Sequence, residues 1–380
     1  MAATETAQLG IIAGEASGDL LGAHLMQALR AQHPQLTAAG IAGPHMVDAG
    51  VQALYPSDKL AVNGYGDVMR RLPELLWIRS RTTRHFLKHR PRVFVGIDAP
   101  DFNFTVEEKL KRAGIPTVHF VSPSLWAWRG ERIHRIKRAV SKMLVVFPFE
   151  EKIYQEAGIP VSYVGHPLAD MIPLESDTQT ARQALNLAAD QRVIALLPGS
   201  RLGEVARHAP LMLAAALAMR HVHPELQFVL PAASEAAAAL VHKAMEAVHL
   251  PVQVLLGQSH TALAACDLAL VASGTATLEA ALFKKPMVIT YRMSERTAAR
   301  MLRQAYLPYV GLPNILAGRF VVPELIQDEA TPDALAREML AWFDDPLRQD
   351  EAIENFKALH LSLRQNAHVR IAEALNPYLN

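Results

Sequence analysis

The chain is 380 residues long, with 38 Lys and Arg against 37 Asp and Glu, and 51% of its residues are hydrophobic. That is material for two globular domains with full cores, and it excludes a disordered or low-complexity chain. The single cysteine, Cys266, excludes an intramolecular disulfide, nothing before Arg30 supplies the basic region of a secretory signal, and apolar windows such as LMLAAALAM are too short to cross a bilayer, so a cytoplasmic protein is expected.

Short β-rich runs alternate with helix-period segments along the whole chain. In the first half these are LGIIAG, RVFVGIDA, PTVHFVSP, KMLVVFPF and VSYVGHP, and in the second RVIALLPGS, LQFVLPA, VQVLLG, LALVAS and PMVITY. Continuous apolar strands separated by helices predict α/β architecture with parallel sheets covered on both faces. Pro167, Pro173 and a polar stretch break the rhythm before a new strand–loop–helix opens at Arg192. The expected division is 1–172, 173–345 and a helical tail, 346–380, that packs across a domain.

The first strand runs into IAGEASGD. Gly10, Gly14, Gly18 and Gly22 recur every fourth residue, which matches neither the dinucleotide nor the P-loop fingerprint. Glu15 and Asp19 also put negative charge where a phosphate-cradling turn avoids it, so no nucleotide is expected in this loop. Alternatively, Asp19 caps a helix and Glu15 pairs with a neighbouring base.

Arg70 to Arg92 holds eight Lys and Arg against Glu74 alone, and Arg129 to Lys142 holds six against Glu131. Such blocks ask for an anionic partner, nucleic acid or anionic lipid. Within the first, Val68, Met69, Leu72, Leu75, Leu76, Trp77 and Ile78 form an apolar group flanked by Arg70, Arg71, Arg79 and Arg81. That is the composition of an interfacial segment; the other reading is a core helix with a solvated basic edge.

VFVGIDAPDFNF puts Asp98 just past the end of a buried strand, the edge where α/β sheets place ligands. Asp98 is the candidate general base, Asn103 could assist it, and Asp101 reads as a helix cap. His166, after the strand in YVGHP, is as well explained by structure as by function. In LLPGSRLGEV a strand ends at Pro198 and Gly199, and Ser200, Arg201 and Glu204 open a helix: backbone N–H groups and a guanidinium suited to a diphosphate. The alternative is a Ser200 N-cap with Arg201 paired to Glu204. LALVASGTATLEAAL repeats the plan. Ser273, Gly274 and Thr275 form a small-residue turn, Thr277 adds a hydroxyl, and Glu279 could accept from ribose hydroxyls, unless this is only a capping turn. Asn314, in YVGLPNILAG, carries a donor and an acceptor suited to ribose, uracil or sugar, and could equally cap a helix.

In their chain order, IAGEASGD, SPSLWAWR, LLPGSRLGEV, SGTATLEAALFKKPMVITY and GLPNILAGRFVVPELIQ resemble the lipid-A-disaccharide synthase family (glycosyltransferase family 19) over nearly the whole length. The resemblance implies a GT-B-like fold: two Rossmann-type parallel-sheet domains facing each other across a cleft, with C-terminal helices packing back on the first domain or on a partner chain. It implies an inverting transfer from UDP-2,3-diacylglucosamine to 2,3-diacylglucosamine 1-phosphate (lipid X), forming a β-1,6 link and releasing UDP. The nucleotide then belongs to the second-half turns and Asn314. The first-domain residues Glu15 (a second catalytic candidate), Ser17, Asp19, Asn103 and Ser122 would face the acceptor. No D-x-D triplet occurs, so transfer without a metal or other cofactor is expected. Because both substrates carry acyl chains, peripheral contact with anionic inner-membrane phospholipid of a Gram-negative bacterium is expected, with no nucleic acid and with a homodimer possible. The rival readings are a UDP-GlcNAc epimerase or lipid-linked GlcNAc transferase of the same architecture, and a non-catalytic lipid-binding protein.

Overall fold

The computed structural model describes residues 8–14, 16–60, 65–127, 130–295, 297–298 and 306–379, with backbone alone at 16 and 65–70. Two parallel sheets carry the fold. The first contains β1 (Leu9–Ala13), β2 (Ala38–Ala42), β3 (Val51–Pro56), β4 (Val93–Ile97), β5 (Thr117–Phe120), β6 (Lys142–Val145) and β7 (Val161–Tyr163), in the order β3-β2-β1-β4-β5-β6-β7. The second contains β8 (Val193–Leu197), β9 (Gln227–Ala232), β10 (Gln253–Leu256), β11 (Leu268–Ala272), β12 (Met287–Tyr291) and β13 (Glu324–Ile326), in the order β10-β9-β8-β11-β12-β13. β1, β4, β8 and β11 are buried along their whole length, as expected of central strands covered on both faces. Strand order reverses between β1 and β4 and again between β8 and β11, so each sheet opens a crevice at the carboxyl ends of those two strands.

The chain divides into two compact units, one of residues 1–170 with 363–380 and one of 171–362. In the first, Ile12, Ile41, Phe86, Phe94, Val106 and Leu110 form the core between the sheet and helices Tyr65–His89 and Pro100–Arg112. In the second, helix Pro332–Asp344 seats Trp342 wholly inside, its indole Nε1 donating to the Met287 carbonyl at 3.2 Å.

The C-terminal segment is shared between the units. Helix Ala367–Leu379 belongs to the first, where the Asp170 carboxylate accepts from the Asn366 and Ala367 N–H groups at 2.9 and 2.6 Å. That carboxylate satisfies donors a helix start leaves orphaned. Asn376 completes the docking with bonds to Gln32 (2.8 Å), the last residue of helix Ala16–Gln32, and to His33 (2.9 Å) just past it.

Helix Tyr65–His89 contains the apolar group singled out above, and it is divided by the 3.6-residue period. Ile78 is buried and Leu75 packs partly into the core, so neither is available to a membrane as the sequence reading had them. Leu72, Leu76 and Trp77 are exposed. Arg71 lies 3.8 Å from Glu74. The side chains of Val68, Met69 and Arg70 lie outside the described residues.

Candidate active site

In the first unit, the loop after β1 and the loop after β4 meet. A Cβ on Gly14 would lie 2.6 Å from the Ala99 Cβ, so only a glycine lets the two loops approach this closely. Asp98 and Ala99 both take left-handed backbone (φ 50° and 44°), as does Val121 at the end of β5 (φ 75°). Non-glycine residues in that region store roughly 1–3 kcal/mol each and cluster where geometry serves function. The turn is held by the Asp98 N–H donating to the Phe120 carbonyl (2.9 Å) and by Asn103 Nδ2 donating to the Asp98 carbonyl (2.8 Å). Both bonds use Asp98's backbone, and its partly exposed side chain is left at the mouth of the crevice. Ser17 is exposed at the start of helix Ala16–Gln32; Glu15 lies outside the described residues.

Two residues grouped with the acceptor loop turn inward instead. Asp19 is 1% exposed, and its carboxylate accepts from the Gly43, His45 and Met46 N–H groups at 2.8, 2.9 and 3.1 Å. It therefore caps helix Pro44–Asp48, whose N-cap residue, Gly43, has no side chain to do so. Asn103 is fully buried, so it supports the Asp98 turn from beneath. One turn along the same helix, Glu107 Oε1 meets His119 Nδ1 at 2.7 Å, both side chains wholly buried. Burial pushes the Glu107 carboxyl pKa up, against the pull of the His119 ring. A histidine inside the apolar run PTVHF was the one sequence signal for this pair.

Ser122 joins a second buried group that the sequence reading missed. Its hydroxyl donates to the Pro123 carbonyl (2.9 Å) and lies 2.7 Å from the Tyr154 hydroxyl. Next to it Glu150, 1% exposed, accepts from the Phe147 N–H (3.0 Å) and from Trp126 Nε1 (3.3 Å), anchoring the SPSLWAW loop. Burial raises the Glu150 carboxyl to about 7, although those hydrogen bonds pull it down. The folded chain thus holds this proton more tightly than the unfolded chain, and stability falls as pH rises from about 4.5 to about 7, by up to about 3 kcal/mol. Glu150→Gln should flatten that part of the curve of Tm against pH; a variant that tracks wild type between about pH 5 and 8 would contradict the assignment. His166, its ring 5.5 Å from Phe147, is held down to about 4 by burial and stays neutral.

In the second unit, Gly199 takes φ +110°, a conformation glycine favours, and a Cβ there would stand 2.7 Å from Glu204 Oε2. Ser200 and Arg201 are exposed at the start of helix Leu202–Val222. Arg201 is the N-cap residue, its guanidinium is 3.2 Å from Glu204 Oε1, and Glu204 also receives the Tyr291 hydroxyl at 3.3 Å. Glu204 is therefore a brace for the loop: its carboxylate accepts from the Arg201 N–H at 3.4 Å and its own N–H donates to the Arg201 carbonyl at 2.9 Å, which leaves the Leu202 and Gly203 N–H groups of the first turn for an anion. His208, on the same helix and fully buried, fixes the loop from below. Its Nδ1 lies 3.1 Å from the Pro198 carbonyl and its Nε2 accepts from the Arg292 N–H at 3.0 Å. The sequence reading passed over it, although it stands seven residues after Arg201, two helical turns along.

β11 lies beside β8, so the Ser273–Thr275 turn shares this crevice. Gly274 and Thr275 are exposed, and Ser273 Oγ donates to the Val310 carbonyl at 2.9 Å. Glu279 pairs with His260 at 3.3 Å. Thr277 and Asn314 are buried and engaged inside the protein, not presented to a ligand. Thr277 Oγ1 bonds the Gly274 carbonyl (2.8 Å) and the Leu312 N–H (3.2 Å). Asn314 Oδ1 accepts from the Val321 and Val322 N–H groups, and its Nδ2 donates to the Val322 carbonyl and to Glu324. Glu324, unsuspected from sequence, also receives the Val310 and Gly311 N–H groups at 2.8 and 2.9 Å, shaping the YVGLPN loop.

A lipid-A-disaccharide synthetase family model matches residues 9–375. The chain belongs to the lipid-A-disaccharide synthase family. It is 66% identical over 369 residues to the lipid-A-disaccharide synthase of Thiobacillus denitrificans, covering 97% of this chain and 99% of that one. It is 50% identical to the Pseudomonas aeruginosa PAO1 lipid-A-disaccharide synthase, covering 97% of each. Among solved structures, a UDP-GlcNAc 2-epimerase from Neisseria meningitidis bound to UDP-GlcNAc aligns with a TM-score of 0.68 at 13% identity, over 97% of this chain and 99% of that one. MurG of Acinetobacter baumannii aligns at 0.58 and 15%, over 97% and 98%. Likenesses at that identity establish the expected glycosyltransferase architecture of two Rossmann-like parallel sheets and nothing narrower.

Proposed function

We propose that the chain transfers 2,3-diacylglucosamine from its UDP donor to the 6-hydroxyl of 2,3-diacylglucosamine 1-phosphate. The acceptor oxygen forms a bond to the anomeric carbon as the bond from that carbon to the UDP oxygen breaks, and UDP leaves with the electron pair. Asp98 takes the hydroxyl proton. The open N–H groups at the starts of helices Leu202–Val222 and Thr275–Leu282, with Arg201 released from Glu204, neutralise the departing diphosphate without a divalent metal. The observation that carries this reading is the left-handed Asp98 turn, which places one carboxylate at the carboxyl end of β4 while, among the described residues, its hydrogen bonds run through the backbone. Acceptor-dependent release of UDP tests it, because an epimerase would need no acceptor and a binding module would release none.

The acyl chains of both substrates favour a site at the anionic inner leaflet, and Leu72, Leu76 and Trp77, exposed on a helix rich in Arg, support that contact. No helix among the described residues is long and apolar enough to cross a membrane. Leu72→Ser with Leu76→Ser should lower partition into the membrane fraction at least about tenfold, given 1.5–3 kcal/mol for a fully buried leucine. Tm and turnover in detergent should stay at the wild-type value. Undiminished membrane partition would remove these leucines from the contact.

A further inference from the structure

The C-terminal half of helix Tyr65–His89 carries a feature that transfer chemistry leaves unused: a groove of about 390 Å3 between this helix and the edge strand β3. Arg81, Arg84, His85 and Lys88 line one side and Tyr55 the other, and no carboxylate borders it. From Leu75 to Arg92 the sequence contains no acid at all. Among the described residues no carboxylate pairs with Arg81, Arg84 or Lys88. Arg84 reaches only the Ser80 hydroxyl (3.1 Å), and Arg81 lies over the Trp77 ring, 5.7 Å from its centroid. Burial and the neighbouring charges of His89 and Lys88 push the His85 pKa down, as befits a cationic cluster with no counter-ion.

Thr82 is the second, independent observation. It borders the groove and falls in the buried stripe Ile78–Thr82–Phe86, where the period calls for an apolar residue. Its neighbour Thr83 donates back to the Arg79 carbonyl at 2.7 Å, the usual way a helix satisfies such a hydroxyl. Thr82 Oγ1 is buried with no partner. A buried hydroxyl without a partner is costly, so a group bound in the groove that supplied the missing bond would be favoured.

We propose that this groove is a binding site for a phosphate group, held by Arg81, Arg84 and Lys88 and by the Thr82 hydroxyl. It is separate from the transfer site: β3 is three strands from β4, about 14 Å at ordinary strand spacing. It adjoins the exposed Trp77, so the same phosphate chemistry suits the headgroup of an anionic phospholipid or a free phosphate ion.

Two probes distinguish those sources: inorganic phosphate followed by calorimetry, and co-sedimentation with phosphatidylcholine vesicles with and without phosphatidylglycerol. Saturable binding is expected with at least one. Inorganic phosphate that saturates makes the site one for the free ion; binding confined to phosphatidylglycerol vesicles assigns it to a lipid headgroup. Arg84→Ala with Lys88→Ala should weaken binding at least about tenfold, and Thr82→Val, which removes no charge, about threefold or more. Lys109→Ala with Lys152→Ala, two exposed cations elsewhere in the same unit, should change it less than about twofold. All variants should retain detergent-assayed transfer, so loss of this site and loss of the transfer reading are told apart. The proposal is overturned if neither probe saturates, if the Lys109 and Lys152 control loses as much as the Arg84 and Lys88 pair, or if Thr82→Val binds like wild type.

Discussion

Asp98→Asn is expected to lower turnover at least about 100-fold while UDP-sugar affinity stays within about twofold of wild type. The substitution is close to isosteric, and asparagine tolerates left-handed backbone as well as aspartate does. The bonds that hold the turn, from Asn103 to the Asp98 carbonyl and from the Asp98 N–H to Phe120, do not involve the carboxylate. The variant therefore removes proton acceptance and leaves the loop in place. Tm should be unchanged, which separates a lost base from a damaged fold. Near-normal turnover would move the base elsewhere, with Glu15 the next residue to change.

Arg201→Ala is expected to weaken UDP binding by about ten- to a hundredfold and uridine binding by less than about twofold, because charge-assisted bonds of roughly 1.5–3 kcal/mol go to phosphate alone. The loop should survive the change. Glu204 keeps the Tyr291 hydroxyl and the residue 201 N–H, and His208 still holds the Pro198 carbonyl from below. Equal losses for UDP and uridine would mean that Arg201 supports the loop and does not neutralise the diphosphate.

What could be read from sequence followed the strength of the local signal. Ten strands stand out as apolar runs, the central ones because they are covered on both faces, although the edge strands β7 and β10 are only half-buried. β2 does not, since in AAGIA a single β-branched residue, Ile41, stands among alanine and glycine of low β propensity. β3 is an edge strand with polar, exposed positions, and β13 is only three residues long. Of the candidate site residues, Asp98, Ser200, Arg201 and Thr275 stand partly or fully exposed just past strand ends, where the sequence pattern puts them. Where a polar residue serves the fold, type and spacing misled. Asp19 looks like part of an acidic loop until its three backbone donors, 24 to 27 residues away, are known. Asn314 looks like a ligand contact until its partners at Val321, Val322 and Glu324 are seen. Long-range pairs such as Glu107 with His119, or Glu150 with Trp126, exist only after folding brings different elements together, and no local pattern encodes them. The apolar segment was read at the right place but as a single group. The helical period divides it between core and solvent, and Leu75 and Ile78 went to the core.

The most direct measurement is UDP release by the purified chain in EDTA, supplied with UDP-2,3-diacylglucosamine in detergent, with and without 2,3-diacylglucosamine 1-phosphate. UDP should appear only when the acceptor is present, one for each β-1,6-linked disaccharide formed, and added magnesium should not change the rate. UDP release that is independent of the acceptor, or no release with both substrates present, would contradict the account.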